Sequence, residues 1–327
     1  MFKIKITGTG SYLPEKVLTN FDLEKMMDTT DEWIRTRTGI KERHIIADDE
    51  ATSDMVAKAA IIAMEDANVS PEDIDLIMVA TITPDNAYPS TACWVQKHLG
   101  LKTKIPAFDI GAACSGYLYG LIVTAGMIES GMAERVLLCS GETMSRATNW
   151  NDRSTCVLFG DGAGATVVEK SDGDSALLSY CWGADGNLGN LLIQPAGGSR
   201  MPASQKTVSE NLHSVVMEGN EVFKHAVSKM KESAIEALKK ANLKGSDVDF
   251  YIPHQANMRI IEATIKRAGI PLDKTSTSID HIANISAATL PISLDEAVRG
   301  GKLKRGNILL FSTFGAGFTW GGAVLRW

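Results

Sequence analysis

The chain reads as an α/β protein made of two similar halves, and three observations carry that reading. Strand-like apolar runs alternate with helix-length segments of helical periodicity along all 327 residues. The order of elements then starts again: Ala67-Asn68-Val69 and Asp73-Ile74-Asp75 return as Ala241-Asn242-Leu243 and Asp247-Val248-Asp249, each pair 174 positions apart. Both copies follow a helix pattern and precede an apolar strand, so the match is architectural. Finally, the length and the 44% hydrophobic content suit a large core shared by two packed units, expected at 1–171 and 172–327. Helices alternating with strands in both units imply α/β layers.

Composition excludes several classes. No apolar run approaches a membrane span, and Met1 to Gly8 alternates like a strand with no secretory apolar core, so a cytoplasmic protein is expected. Cys93, Cys114, Cys139, Cys156 and Cys181 are odd in number and far apart, which fits neither a disulfide framework nor a metal-binding pair. The net charge of −6 speaks against nucleic acid as a partner.

In chain order, residues 2–10 read as a strand, followed by a short helix from Asn20 to Met27 with Asn20 placed to cap it. Asp31 to Ile40 reads as a connecting segment rich in Trp and Arg, either a solvated face or a surface that stacks on a ring and meets phosphate. Ser53 and Asp54 suit the start of a helix to Ala67, Pro71 a turn, and Ile74–Thr81 a strand. A loop (83–89) and a helix (Ser90–Leu99) come next. Ile105–Ile110 and Val136–Ser140 are strands on either side of a helix from Ser115 to Ser130. Phe159-Gly160-Asp161-Gly162-Ala163-Gly164 lacks the spacing of a dinucleotide loop and reads as a turn into a core strand. Residues 183–215, with Gly183, Gly186, Gly189, Gly197, Gly198 and Pro202 among them, form a long excursion of the kind that serves as a lid. Helix Glu221–Ala241, strand Val248–Pro253 and helix Asn257–Ala268 complete the pattern, the last with Met258, Ile261, Ile265 and Ala268 on one face.

The candidate chemistry lies on turns. Cys114, in Gly111-Ala112-Ala113-Cys114-Ser115-Gly116, follows a strand and opens a helix, where free N–H groups and the helix dipole favour a thiolate. The bland alternative is a packing cysteine. Gly131 and Gly301 both follow a helix, and their separation of 170 maps Cys114 onto Asn284 in another small-residue turn. If the halves pack about a pseudo-two-fold axis, those two turns face each other. His254 ends a strand in Pro253-His254-Gln255-Ala256-Asn257. The remaining histidines, His44, His98, His213, His225 and His281, read as structural. A nucleophile, an imidazole and an amide on three turns also fit a protease, though not on a duplicated α/β frame.

These motifs together resemble the β-ketoacyl-acyl carrier protein synthase III family, the initiating condensing enzymes of type II fatty acid synthesis. The resemblance runs essentially end to end, through Asp31-Glu32-Trp33-Ile34, Arg37-Thr38-Gly39, Ala112 to Gly116, Asp152-Arg153, Phe159 to Gly164, Pro253 to Asn257, and Asn284 with Ser286-Ala287-Ala288. It implies a thiolase-like fold of two βαβαβαββ halves in five layers, α-β-α-β-α, a homodimer, acyl-CoA and malonyl-acyl carrier protein as substrates, and no cofactor. It implies Cys114, His254 and Asn284 as catalytic, with Phe314 beside the cysteine and the Cys114 and Gly317 N–H groups holding an oxyanion. Coenzyme A contacts would fall to Trp33, Arg37, Thr38, Arg153 and Asn220. Tyr88 would reach the partner's acyl pocket, and Gln255, Ala256, Asn257, Met258 and Arg259 would meet the carrier protein.

The sequence departs from the family pattern at three places. Ala283 and Ala316 stand where Gly is usual and Ile285 where Thr is; alanine at a position of positive φ is strained by about 1 kcal/mol. Two rival functions are a condensing enzyme of specialised metabolism and a cysteine acyl hydrolase. A scaffold without activity has no need of Cys, His and Asn together.

Overall fold

Strand residues alternate between two apolar environments, and this sets the layers. The computed structural model describes residues 1–102 and 104–327. Strands β1 (Ile4–Tyr12), β2 (Leu76–Ala80), β3 (Ala107–Ile110), β4 (Arg135–Thr143) and β5 (Asp161–Lys170) form a sheet in the order β1-β5-β4-β2-β3. β2 runs parallel to β3 and β4, while β5 is antiparallel to β4 and β1. Strands β6 (Ala176–Ala184), β7 (Phe250–Pro253), β8 (Ile308–Gly315) and β9 (Thr319–Arg326) form a second sheet in the order β7-β8-β9-β6 with the same directions. A parallel bridge from Tyr251 to Thr275 takes the place that β3 has in the first sheet.

Helix α1 (Asp31–Thr38) lies at one side of the molecule, and α2 (Thr52–Ala67) and α3 (Thr91–His98) cover the outer face of the first sheet. Helices α4 (Gly116–Glu129) and α7 (Thr289–Arg299) fill the space between the sheets; α5 (Gly219–Lys240) and α6 (Met258–Ala268) cover the second sheet outside. Leu76 and Met78 of β2 face the central helices, while Ile77 and Val79 face α2 and α3. In the second sheet Leu309 and Phe311 face inward and Leu310 outward. The result is the expected five layers.

The repeat is visible in the backbone. Asn68 and Asn242 both take the left-handed conformation, at φ 54° and 56°, and Gly131 and Gly301 do so at 76° and 66°. The central helices end 170 positions apart, at 129 and 299, but begin 173 apart, at 116 and 289. Helix α7 is therefore one turn shorter, and the mapping of Cys114 onto Asn284 is approximate by that amount. The two turns do meet: a Cβ on Gly116 would lie 3.2 Å from the Ala287 Cβ.

Local expectations failed in four places. Thr19, not Asn20, caps the first helix, its hydroxyl accepting the Asp22 N–H. Asn20 is buried instead, donating to Asp31 and to the Ile40 carbonyl. Residues 31–38 are helix α1 rather than a connection: Thr30 accepts the Trp33 N–H, acids open the helix, arginines close it, and Gly39 ends it at φ 84°. At the start of α2 the Asp54 carboxylate accepts the Ala51 N–H, whereas the Ser53 hydroxyl donates to Asp85. The excursion at 183–215 carries structure of its own, with a helix at Gln205–Ser209 and a strand pair, Leu192–Ile193 with Val216–Met217.

Candidate active site

Turns from distant parts of the chain enclose one cavity of about 550 Å³, and Cys114, His254, Asn284, Phe314 and Gly317 all line it. Cys114 sits between β3 and α4, after Ala113 at φ 47°. The end of β8 lies directly against it, since a Cβ on Gly315 would come within 2.6 Å of the Cys114 nitrogen. Gly317 follows at φ 134°, a conformation that suits glycine. Burial pushes the Cys114 thiol up to about 12, with the Ser286 hydroxyl pulling the other way. Burial of the sulfur thus opposes the pull of the helix terminus that favours a thiolate.

His254 leaves the end of β7 and is 2% exposed, with its N–H donated to the Ser312 carbonyl at 2.9 Å. Its Nδ1 lies 2.8 Å from Thr289 Oγ1. The Ser286 carbonyl accepts both the Thr289 hydroxyl, at 3.1 Å, and the Thr289 backbone N–H. Which atom donates across the Nδ1 contact follows the ring tautomer, and a proton on Nε2 requires the Thr289 hydroxyl to turn its hydrogen from the Ser286 carbonyl to Nδ1. Burial pulls the imidazole down to about 3, so the ring is neutral.

Asn284 is oriented in the same manner. Its Oδ1 accepts the Ser286 N–H at 2.9 Å, which makes Nδ2 the remaining donor of the side chain. Its backbone is pinned on both sides, by its N–H to the Leu158 carbonyl at 3.0 Å and by the Gly160 N–H to its own carbonyl at 3.2 Å. Ala283 before it takes φ 60° and ψ −159°, a region that belongs to glycine and costs about 1–3 kcal/mol. The strain expected at Ala283 is therefore present. At Ala316 it is absent, because that residue keeps a negative φ. Ile285 rests in an apolar nest with Ile282, Ala288, Ile292 and Leu13, where its longer side chain is accommodated.

The other residues named from sequence fall into two groups. Phe314 is buried with its ring 4.7 Å from that of Phe318, walling the cavity. The Arg37 and Arg153 guanidinium groups lie 4.5 and 5.0 Å from the Trp33 ring centre, forming one cationic aromatic surface. Asn220 is exposed in the first turn of α5, beside Gly219 and Val222 of the cavity wall. Tyr88 is 87% exposed. Ala256 and Asn257 line the cavity, Asn257 also capping α6 and donating to the Arg37 carbonyl. Met258 is half-buried and Arg259 is exposed, 5.4 Å from the Phe223 ring.

Two residues stand apart from their expected roles. Thr38 is buried, with its hydroxyl donated to the Ile34 carbonyl and accepting the Ile40 N–H. Gln255 is wholly buried; it donates to the Pro253 and Ser276 carbonyls and accepts the Ile279 N–H, so it holds the His254 turn instead of a partner.

Sequence reasoning gave no role to Glu142, Ser286 or Thr289. Ser286 lines the cavity within the quoted Asn284 motif. Glu142 is fully buried near the end of β4. Its signal was an acid closing an otherwise apolar strand, a pattern that needs a buried partner.

Comparison with known proteins gives the family of the chain. Two models of 3-oxoacyl-[acyl-carrier-protein] synthase III match, one over residues 108–186 and the other, for the C-terminal part, over 238–327. A β-ketoacyl-[acyl-carrier-protein] synthase III from Caldanaerobacter subterraneus subsp. tengcongensis is 55% identical over 322 residues, covering 98% of this chain and 97% of that protein. One from Desulfitobacterium hafniense is 51% identical over 327 residues, covering 100% and 98%. The crystal structure of 3-oxoacyl-[acyl-carrier-protein] synthase III from Aquifex aeolicus VF5 superposes with a TM-score of 0.91 at 48% identity, covering 99% of this chain and all of that one. With a thiolase-like fold and full-length identity at this level, the chain belongs to the β-ketoacyl-[acyl-carrier-protein] synthase III family of condensing acyltransferases.

Proposed function

We propose that this cavity performs a decarboxylating condensation of an acyl-CoA primer with malonyl-acyl carrier protein, the step that initiates fatty acid synthesis. The observation that carries the reading is the meeting of one thiol, Cys114, with the His254 imidazole and the oriented Asn284 Nδ2 donor in a single cavity. In the first half-reaction the Cys114 sulfur attacks the thioester carbonyl. The Cys114 and Gly317 N–H groups receive the oxyanion, and CoA leaves as the thiol. In the second, malonyl-acyl carrier protein loses carbon dioxide, and the electron pair of the broken bond forms an enolate. His254 and Asn284 donate to its oxygen as charge develops, an arrangement in which each donor accounts for about 10²–10³ in rate. The enolate carbon then attacks acyl-Cys114 and releases the β-ketoacyl product. The Cys114 sulfur leaves with its electron pair and regains one proton from solvent per turnover, so the reaction as proposed uses no metal or redox cofactor.

The cation-faced Trp33, with Arg37 and Arg153, suits an adenine ring and its phosphates. Phe314 gives the cysteine an apolar neighbour that disfavours a malonyl carboxylate. Arg259, exposed at the start of α6, is the residue of the 255–259 segment proposed to meet an acidic carrier protein. Tyr88 and the edge strand β3 are proposed to face a second subunit in a homodimer, with the two halves divided at 171 and 172. Among the described residues no helix is long and apolar enough to cross a membrane, and a cytoplasmic location is proposed. Relatives at 51–55% identity favour this reading over a specialised pathway or a hydrolase.

Intact-protein mass spectrometry with a panel of acyl-CoAs tests the first step. The expected result is a gain of one acyl group in the native chain and none in Cys114→Ala. Labelling that persists in the variant contradicts the assignment.

A further inference from the structure

The Trp33 surface is assembled from two elements distant in the chain, and one buried side chain joins them. Trp33 and Arg37 lie on α1, whereas Arg153 opens the short helix Arg153–Cys156. Arg43, on the strand Glu42–Ile45, is 0% exposed and reaches both. Its Nη2 donates at 2.9 Å to the carbonyl of Val157, the residue that ends the Arg153 helix. Its Nη1 donates to the Leu18 carbonyl at 3.1 Å and to Asn20 Oδ1 at 3.0 Å. The Asn20 amide in turn donates to Asp31 Oδ1 at 2.9 Å and to the Ile40 carbonyl at 2.8 Å, so it holds α1 at both ends. Every acceptor that Arg43 has among the described residues is a neutral oxygen, and its Nε is buried without a partner. Burial pulls the guanidinium down to about 10, which leaves it charged at neutral pH. A buried cation held by neutral groups alone is costly. What it supplies here is a planar fork that spans two elements.

We propose that Arg43 is a positioning residue for coenzyme A: by tying α1 to the Arg153 helix it sets the spacing of Trp33 and Arg153, and with it the face offered to the adenine ring. The proposal rests on the coenzyme A reading of that surface given above. Trp33 and Arg37 share one helix, whose geometry fixes their spacing of 4.5 Å. Trp33 and Arg153 have no such common frame, and their 5.0 Å spacing depends on how the two elements are held. Arg153 also donates to the Asp28 carbonyl at 2.6 Å, but through the side chain that must engage the ligand. Arg43 touches no ligand and acts through Val157 and Asn20 instead. Its stem runs close to Gly160, where an added Cβ would lie 3.1 Å from the Arg43 Cβ, and the Gly160 N–H holds the Asn284 carbonyl. Substitutions that keep an unbranched stem therefore leave the catalytic turn in place.

The test compares two primers, acyl-CoA and the acyl thioester of N-acetylcysteamine, which lacks the nucleotide, in native protein, Arg43→Met and Arg43→Lys. Trp33→Ala serves as the reference for loss of the surface. Arg43→Met should raise KM for acyl-CoA at least tenfold with kcat within threefold, the pattern of lost binding and not of lost chemistry. The preference for acyl-CoA over the truncated primer should fall by the same factor. Arg43→Lys keeps the charge but not the fork, and should behave as Arg43→Met does. Equal losses with both primers mark a general structural role and overturn the proposal. A native KM in Arg43→Met, or its recovery in Arg43→Lys, overturns it as well. Should Arg43→Met not fold, Asn20→Ala unties α1 from the same fork and should lower the preference for acyl-CoA at least fivefold; a native preference there overturns the proposal. If Trp33→Ala takes acyl-CoA with the native KM, the coenzyme A reading of the surface itself fails, and that result is distinct from the others.

Discussion

Replacing Thr289 with Val isolates what orients His254. The two side chains share a branched shape, so the change removes one hydroxyl 2.8 Å from Nδ1 and little packing. A buried ring nitrogen left without its donor costs about 1–3 kcal/mol of stability, a fall of several degrees in Tm. The catalytic effect has a floor and a ceiling. Loss of the tautomer bias alone leaves about half of the rings with hydrogen on Nε2, about a twofold penalty if that bias is one net hydrogen bond. Complete loss of an oriented donor costs about 10²–10³. With the ring also released from its side-chain anchor, malonyl decarboxylation should slow about tenfold. Cys114 acylation, which does not use Nε2, should stay within threefold. Thr289→Ser, which keeps the hydroxyl, should restore decarboxylation, and ¹⁵N chemical shifts should report the Nε2–H tautomer in the native protein alone of native and Val forms. Unchanged decarboxylation in Thr289→Val, or acylation falling in step with it, refutes the assigned role.

Three further outcomes are expected. Ala283→Gly relieves about 2 kcal/mol of backbone strain, against about 0.8 kcal/mol for a buried methyl and about 0.7 kcal/mol of unfolded-chain entropy; calorimetry should show Tm rising by about a degree, and a fall in Tm contradicts the strain. His281 is raised to about 9, first by its hydrogen bond to Glu296 and then by that to Asp280. Its stabilising contribution is therefore complete below the unfolded value near 6.5 and lost as pH climbs through 9; because the side chain is 42% exposed, the loss should be about 1 kcal/mol or less. Denaturant unfolding of His281→Gln should show a flatter profile across that window, and an unchanged slope opposes the assignment. Arg259→Glu should raise KM for malonyl-acyl carrier protein at least fivefold while acylation by acyl-CoA is unaffected, whereas Gln255→Ala should lower Tm with no selective effect on the carrier protein.

Much of the architecture was legible because it depends on periodicities that span many residues. The alternation in Leu76 to Ala80 and in Phe250 to Pro253, and the repeat through Asn68 and Asn242, survive local irregularity. Local chemistry was harder to read. Asp31 to Thr38 had a Thr cap, early acids and late arginines, yet its Trp and Arg content obscured a helix that places Trp33 and Arg37 one turn apart. Residues that share a motif do not share a fate: Gln255 and Thr38 sit inside binding motifs but turn inward to satisfy buried backbone groups. Nor does sequence spacing disclose competition between burial, which pushes the Cys114 thiol up, and a helix terminus, which pulls it down. Thr289 and Glu142 matter only through atoms brought to them by other elements, so nothing near them in the chain announced their partners.

The most direct test of the central claim is the discharge of preformed acyl-Cys114, followed by quenched-flow and intact mass, with and without malonyl-acyl carrier protein. The account predicts rapid loss of the acyl group only with the malonyl partner, matched one for one by carbon dioxide and β-ketoacyl-acyl carrier protein. Loss of the acyl group to water at the same rate without malonyl-acyl carrier protein contradicts it and identifies a hydrolase.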